Sequence, residues 1–369
     1  MTSIPYILAV MMLIVYSTFA TKSLTLKLSG PNTVGSLSDL VIVANMTNTG
    51  DEPLELLHHP KSLISNLPTE KFRAVRKEGQ KIPSFIGIKA KFVPITAASM
   101  GTSTTISPGK HIEVAHDMSQ IYDFTSTGEG TYTFTPSFPS FLVVSRGEKD
   151  NGLIITKLGI ACVDSVAIII LSDILPASSL PPTAGLKITN SIQGGKDQVS
   201  FLQCNTSERK AIWGAASAAQ AYASESYAYL QALSSHMTSP TERYDTWFGE
   251  LSQWRYDTVS MHYARLKGND FTSYTYDCSC AEPSLYAYVR PLQYGVVYLC
   301  AFWAAPSIGT DSQGGTLLHE SSHFRRNGDT MDYAYGQTDS KELAADDPDS
   351  AVMNADTHEY FAENMPVMA

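Results

Sequence analysis

Residues 317–324 read LLHESSHF, and this stretch decides the fold of the C-terminal portion of the chain. On a helix, residues four apart lie on one face, so His319 and His323 can direct their imidazoles at one metal ion. Glu320 follows His319 directly and can face a water on that ion. This spacing is typical of zinc metallopeptidases. The sequence therefore predicts a helix over about residues 316–324 and one Zn2+ per catalytic domain.

A catalytic zinc site usually has a third protein ligand, and three spacings compete for that role here. Asp329 lies six residues after His323, as in metzincins, but the glycine of that pattern is replaced by Arg326. Glu342 lies near the spacing of gluzincins, whose third ligand comes from a second helix. Asp332 lies nine residues after His323, beyond a turn.

Residues 328–336, GDTMDYAYG, resemble the aspzincin signature of the deuterolysin family, Gly-Thr-x-Asp-x-x-Tyr-Gly. Asp329 departs from that signature, because it stands where the family has the glycine before the threonine. The resemblance implies zinc ligation by His319, His323 and Asp332, general base catalysis by Glu320, and a hydroxyl of Tyr335 that faces the oxyanion.

From about Cys204 to the C terminus, the chain is further similar to the peptidyl-Lys metalloendopeptidases of that family. The shared motifs are DCSC at 277–280, VYLC at 297–300, GTDS at 309–312 and VMNAD at 352–356. Four cysteines alone leave three pairings open. The resemblance implies the pairs Cys204–Cys278 and Cys280–Cys300.

Asp356 and Glu359 are three residues apart, so a helix over about 356–364 would place both on one face. Without further information, two acidic residues on one helix face are typical of charged side chains exposed to solvent. The resemblance instead implies that they line a pocket for a lysine just after the scissile bond. We expect His358, between them, to lie at the surface or behind the ligands and not to bind the metal.

The composition excludes several classes of protein. Of the 369 residues, 43% are hydrophobic and 17% are charged, which is not the composition of a disordered, collagen-like or coiled-coil chain. The first 199 residues carry 15 acidic and 16 basic side chains, whereas the rest carry 21 and 10. The net charge of −10 argues against nucleic acid as a partner, and the acidic second half favours cationic partners.

The N-terminal half carries no catalytic pattern. Residues 1–20 resemble a cleaved secretory signal, whose apolar run at 4–16 is too short to span a membrane, so we expect an extracellular protein without stable membrane association. Residues 21–175 show alternating strands and turns. A stretch rich in Pro and Gly follows at 176–199 and is the expected linker with the activation cleavage site, near Lys196.

The predicted fold class is α+β. A β-sandwich-like propeptide domain at 21–175 is followed by a mainly helical, zincin-like metallopeptidase domain with a small sheet at 200–369. Helices are expected at 207–234 and 252–266, and strands at 285–289 and 295–300. Two minor features lie in the N-terminal half. His58-His59 is expected in a loop. Cys162 is expected in a buried strand, with a thiolate that blocks the zinc as the less favoured alternative.

The predicted function is a secreted zinc endopeptidase, made as a zymogen and monomeric, that cleaves before Lys in protein or peptide substrates and is inhibited by its own propeptide. One alternative is a broader, deuterolysin-like protease that favours basic residues. A second alternative, from another class, is a secreted binding protein with a non-catalytic zinc site. Glu320 has no structural role in such a site, so the residues favour the enzyme.

Overall fold

The computed structural model describes residues 21–138, 140–147, 152–160, 165–171, 199–234 and 241–368. The segment expected to be a signal peptide, Cys162, Lys196 and the expected linker up to residue 198 lie outside these described residues. Helices and strands are both present, so the α+β prediction is confirmed. Within the described ranges, no helix is long and apolar enough to cross a membrane.

The N-terminal portion consists mainly of antiparallel strands, whose side chains alternate between core and solvent as in β1 (Leu24–Ser29). The other strands are β2 (Thr33–Val34), β3 (Val41–Asn48), β4 (Leu54–Leu57), β5 (Phe72–Arg76), β6 (Ser84–Phe85), β7 (Lys89–Lys91), β8 (Ser103–Ile106), β9 (His111–Asp117), β10 (Tyr122–Asp123), β11 (Gly130–Pro136), β12 (Ser140–Arg146), β13 (Leu153–Gly159) and β14 (Val166–Ile170).

Apart from β7, these strands form three main sheets and one short strand pair. The sheet orders are β1-β3-β9, β2-β14-β11-β5 and β13-β12-β4-β8, and β10 pairs with β6. Side chains such as Leu26, Ile42 and Phe134 form one apolar core among them. A single α-helix, α1 (Pro94–Ser99), belongs to the described part of this portion and follows β7.

The C-terminal portion is mainly helical around a small sheet. Its helices are α2 (Thr206–Ser234), α3 (Glu242–Phe248), α4 (Gln253–Lys267), α5 (Gln313–Ser322), α6 (Gln337–Asp346), α7 (Pro348–Ala351) and α8 (Ala355–Glu363). The helices expected at 207–234, 252–266 and 356–364 agree with α2, α4 and α8. Helices α3, α6 and α7 were not predicted. The helix expected at 316–324 instead spans 313–322, because Ser312 caps it three residues earlier than the prediction placed its start.

One strand of the small sheet comes from the other half of the chain. The sheet contains β15 (Ser200–Leu202), β16 (Thr275–Asp277), β17 (Ala287–Val289) and β18 (Val296–Leu299). Its order is β15-β16-β18-β17-β7, so β7 forms an edge of the sheet. The strands expected at 285–289 and 295–300 are present within those ranges, but nothing in the sequence predicted the pairing of β7 with β17.

Two disulfides stabilise this sheet. Cys204 pairs with Cys278, just after β15 and β16, and Cys280 pairs with Cys300, just after β18. This is the pairing that the family resemblance implies. Disulfides persist in oxidising compartments, so their presence agrees with an extracellular protein.

Buried histidines make the fold sensitive to acid. The side chain of His116 in β9 is buried, with Nε2 3.2 Å from the carbonyl oxygen of Leu63. Burial lowers the pKa of His116 from 6.5 to about 3. The unfolded state therefore binds more protons between these pH values, and stability present above pH 6.5 is lost as the pH falls.

We expect His116→Gln, which can still donate to the Leu63 carbonyl, to weaken this dependence. The free energy of unfolding should decline less steeply between pH 6.5 and 4, by at most about 1.4 kcal/mol per pH unit. Denaturant titrations at several pH values would measure the slope. His111→Gln, at an exposed position of the same strand, is the control, and an equal change in both variants would contradict the prediction.

Candidate active site

Helix α5 positions the two histidines of the HESSH stretch and is buried from Gly314 to Ser322. Its first turn is capped by Ser312 Oγ, which accepts a hydrogen bond from the N–H of Gly315 at 2.9 Å. Gly314 lies so close to α2 that a Cβ there would be 2.8 Å from the Cβ of Ala218. His323 ends the helix with helical backbone angles, so the spacing of four residues still places both imidazoles on one face.

The side chains of His319, His323 and Asp332 meet at one buried point. Asp332 Oδ1 lies 3.3 Å from His319 Nε2 and 3.2 Å from His323 Nε2. The two Nε2 atoms are themselves 3.2 Å apart. The structure therefore brings together the three predicted zinc ligands, and among the described residues they form one of the few groups close enough to hold a metal ion.

Acceptor oxygens hold the other nitrogen of each imidazole. His323 Nδ1 lies 2.9 Å from the carbonyl oxygen of Thr330. His319 Nδ1 lies 2.8 Å from Asp356 Oδ1 and 3.3 Å from Glu359 Oε2. A proton on Nδ1 of His323 satisfies the Thr330 carbonyl, and a proton on Nδ1 of His319 faces the two carboxylates. With these protons the Nε2 lone pair of both rings is free for a metal, as in metal-ligating histidines.

The loop before Tyr335 positions Asp332 beside the histidines, and hydrogen bonds to residues at the start of α8 fix the conformation of this loop. Met331 donates its N–H to the carbonyl of Met353 at 2.6 Å and accepts from the N–H of Ala355 at 2.9 Å. Asn354 Oδ1 accepts from the N–H of Tyr333 at 2.8 Å. The VMNAD motif therefore contributes backbone and side-chain hydrogen bonds that fix the third candidate ligand.

The cluster fits a zinc ion chemically. Burial raises the pKa of Asp332, but the adjacent His323 and His319 rings outweigh it and hold that pKa well below its ordinary value, so this carboxyl is an anion. Asp332 Oδ1 and Glu320 Oε2 are buried without a hydrogen-bond partner among the described residues, which is unusual for buried oxygens. A cation between the three ligands and a water beside Glu320 would satisfy both, and two imidazoles with one carboxylate suit zinc.

Glu320 is fully buried beside the cluster. Its Oε1 accepts a hydrogen bond from the backbone N–H of Lys91 in β7, at 2.6 Å. Burial raises the pKa of Glu320 to about 8. The residue predicted as general base therefore has one oxygen directed at a peptide N–H and one without a hydrogen bond.

Three carboxylates surround the ammonium of Lys91 next to this cluster. Lys91 Nζ lies 3.0 Å from Asp356 Oδ1, 2.7 Å from Glu359 Oε2 and 2.8 Å from Asp311 Oδ1. Burial lowers the pKa of Lys91, but the three carboxylates outweigh it and hold the pKa well above its ordinary value. Asp356 and Glu359 are fully buried, so they are not the surface acids that composition alone suggests.

Tyr335 lies beneath side chains of the N-terminal portion. Its ring packs edge-on against His59 at 5.2 Å and against Phe92 at 5.5 Å between centroids. Burial, with the charges of Asp332 and Asp356, raises the pKa of Tyr335 well above its ordinary value. Its hydroxyl therefore keeps its proton and can donate a hydrogen bond.

Other residues considered from the sequence lie outside the cluster. Asp329 is half-exposed and 3.4 Å from Lys89 Nζ, and Glu342 is exposed on α6. His358 is fully buried, with Nε2 3.0 Å from His262 Nδ1, so of its two expected positions, at the surface or behind the ligands, the surface is excluded. The backbone carbonyl oxygen of Asn354 lies 2.8 Å from His358 Nδ1 and gives the buried ring a second polar contact.

Three residues near the site were missed from the sequence. Asp311 lies in the GTDS motif, which was noted without a role for this side chain. Lys91 belongs to a strand too short to show periodicity. His59 was expected only in a loop, yet it is buried against Tyr335, and burial lowers its pKa to about 3.

Known proteins resemble both halves of the chain. The family described as "Lysine-specific metallo-endopeptidase" matches residues 232–363. The peptidyl-Lys metalloendopeptidase of Grifola frondosa is 44% identical over 354 residues, 95% of each chain. That of Pleurotus ostreatus is 50% identical over 171 residues, 46% of this chain and 99% of the relative. A solved structure titled zinc peptidase from Grifola frondosa is 56% identical, with a TM-score of 0.43, over 45% of this chain and 100% of its own.

The geometry predicts which acid holds the metal. Asp332→Asn should lower the zinc content of the purified chain at least tenfold, because an amide oxygen is a weaker ligand than a carboxylate. Inductively coupled plasma mass spectrometry after dialysis would measure zinc per chain. Asp329→Asn, three residues earlier and outside the cluster, is the control. Equal loss of zinc in both variants would contradict the assignment.

Proposed function

This chain belongs to the family of lysine-specific metallo-endopeptidases, and we propose that it hydrolyses Xaa-Lys bonds, on the amino side of lysine, in extracellular proteins and peptides. The observation that carries this proposal is the buried pocket of Asp311, Asp356 and Glu359 beside Glu320. These carboxylates lie within 3.0 Å of one lysine ammonium whose own backbone N–H contacts Glu320.

His319, His323 and Asp332 would hold one zinc ion. When bound, zinc supplies a Lewis acid that acidifies a water and polarises the scissile carbonyl. Asp356 and the carbonyl of Thr330 orient the two imidazoles through their Nδ1 atoms. The orientation of both rings therefore comes from groups of the protein itself.

Glu320 acts as general base and then as general acid. Its Oε2, which makes no hydrogen bond to the described residues, is placed to take the proton of the attacking water. Its Oε1 already contacts the peptide N–H of a lysine, so the same carboxyl can deliver the proton to the leaving amine. Next to a cation held by His319, His323 and Asp332, the raised pKa of Glu320 would fall, and its carboxylate would be available as a base.

Tyr335 supplies a hydrogen-bond donor for the oxyanion that develops on the scissile carbonyl. Support comes from its burial next to Asp332 and from the pKa that keeps its hydroxyl protonated. A fixed donor of this kind stabilises the transition state more than the ground state, because negative charge grows on the carbonyl oxygen during attack.

The pocket suits lysine better than arginine. An ammonium can direct its three N–H bonds at three separate carboxylates, whereas a planar guanidinium favours a side-on pair with one carboxylate. The carboxylates of Asp356 and Glu359 are fully buried, so an uncharged side chain there would leave them without a counterion. That loss is costly in a low-dielectric interior.

We further propose that residues 21–175 act as a propeptide, that 176–199 contains the activation cleavage site, and that 200–369 is the catalytic domain. The Pleurotus relative supports this division, since 99% of its length aligns with less than half of this chain. Secretion through a signal at 1–20 would bring the chain to an oxidising compartment, which agrees with its two disulfides.

The decisive test is a digest of a denatured protein by the full chain after its activation, with and without a zinc chelator. We expect nearly all new amino termini to be lysine and cleavage to stop on chelation. Peptide sequencing by mass spectrometry would measure this. Zinc-dependent but mixed termini would support the broader protease instead, and no cleavage by a zinc-loaded chain would favour a binding protein.

Glu359→Gln should relax the preference for lysine, because it removes one carboxylate from the pocket. We expect the ratio of kcat/KM for a lysine peptide to that for its norleucine analogue to fall at least tenfold. Glu342→Gln, an exposed acid outside the pocket, is the matched control. An unchanged ratio in a folded Glu359→Gln enzyme would contradict the role of this pocket.

A further inference from the structure

We propose that Lys89–Lys91 occupies the active-site cleft as a substrate would, with Lys91 in the lysine pocket, and that Asp311 is the third carboxylate that recognises lysine there. This inference rests on the proposed function, because it names the resident occupant of the same site and one more specificity residue. Its consequence is that the full chain is closed to substrate for as long as Lys91 fills the pocket.

The first support is the way β7 binds. It pairs antiparallel with β17, with Ala90 opposite Tyr288 and Lys91 opposite Ala287. The N–H of Tyr286 donates to the carbonyl of Lys91 at 2.9 Å, which extends the ladder. Strand addition of this kind is how an extended peptide is held along a sheet edge, with main-chain hydrogen bonds for affinity and a pocket for specificity.

The second support is the register of β7 against the catalytic side chains. The N–H of Ala90 donates to Asp332 Oδ2 at 3.2 Å, and the N–H of Lys91 donates to Glu320 Oε1 at 2.6 Å. The Ala90–Lys91 bond therefore lies between the candidate ligand and the candidate base. In a substrate cut before lysine, that N–H belongs to the leaving amine, so Lys91 takes the position of the lysine just after the scissile bond.

The third support is the pocket itself, in which Asp311 is held in place by other residues. Asp311 has a positive φ of 54°, a conformation uncommon outside glycine, and its N–H donates to Glu363 Oε2 at 3.1 Å. The hydroxyl of Tyr360 donates to Asp311 Oδ1 at 2.6 Å. These contacts direct the carboxylate at Lys91 Nζ, whose side chain is fully buried.

Two lysines of the N-terminal portion, one of them in this segment, bind carbonyl oxygens on either side of Met331. Lys89 Nζ donates to the carbonyl of Thr330 at 2.6 Å, and Lys61 Nζ donates to that of Asp332 at 3.0 Å. Ala90 and Phe92 belong to an apolar cluster that also contains Tyr335. The segment therefore covers the residues that a substrate has to reach.

Peptide binding in the full-length chain tests this, in a Glu320→Gln background that prevents digestion of the probe. The probe is a fluorescein-labelled Gly-Ala-Lys-Ala-Gly peptide, followed by anisotropy. We expect no binding by Glu320→Gln alone and at least tenfold tighter binding after Lys91→Met is added. Lys71→Met, which removes a buried lysine bonded to the Ser65 carbonyl away from the pocket, should leave the cleft closed.

The proposal would be overturned if the folded Lys91→Met chain bound the probe no more tightly than the folded Lys71→Met chain. If Lys91→Met fails to fold by circular dichroism, the comparison is made with Lys91→Arg and Lys71→Arg, which retain the charge. The pocket should hold arginine less well, so Lys91→Arg should still bind the probe more tightly than Lys71→Arg. Equal binding would again overturn the proposal.

The role of Asp311 is tested in the opened chain. Asp311→Asn should weaken binding of the lysine probe about tenfold without weakening its norleucine analogue, and Asp329→Asn should change neither. An equal loss of affinity for both probes would show that Asp311 does not recognise the lysine side chain. An opened chain that binds the probe but, with Glu320 restored, never hydrolyses it would refute the proposed function and leave this inference standing.

Discussion

The burial of carboxylates beside α5 is the constraint on which the rest of the structure depends. Asp356 and Glu359 are fully buried and Asp332 nearly so. Each buried anion costs several kcal/mol unless a cation or several hydrogen bonds compensate it. The Lys91 ammonium and the Nδ1–H of His319 face the carboxylates of Asp356 and Glu359. Backbone donors add to this compensation: the N–H of Gly336 lies 2.7 Å from Asp356 Oδ2, and that of Ala90 lies 3.2 Å from Asp332 Oδ2.

Asp356 connects the candidate metal site to the lysine pocket. A single oxygen, Oδ1, lies 2.8 Å from His319 Nδ1 and 3.0 Å from Lys91 Nζ. The charge that fills the pocket therefore acts on the same carboxylate that orients a ligand imidazole. Recognition of lysine and preparation of the metal site are electrostatically linked through this one atom.

Local spacing made part of this site predictable. A separation of four residues placed His319 and His323 on one helix face, and the signature around Asp332 identified the acid that the structure brings to them. Composition could not show that Asp356 and Glu359 are buried, because acids on a helix are usually solvated. The role of Lys91 could not be predicted from the sequence. Lys91 reaches the pocket because its strand pairs with one about two hundred residues later, and no local pattern specifies such a contact.

The helices of the C-terminal portion also bear on how long such an enzyme would survive its own activity. After residue 200 the chain has only three lysines, Lys210, Lys267 and Lys341, and all three lie in α2, α4 or α6, whereas the first 199 residues have thirteen. A helical segment has to unwind before it can pair along a sheet edge. Under the proposed specificity, the catalytic half offers itself few scissile bonds, and self-digestion falls mainly on the half that covers the cleft.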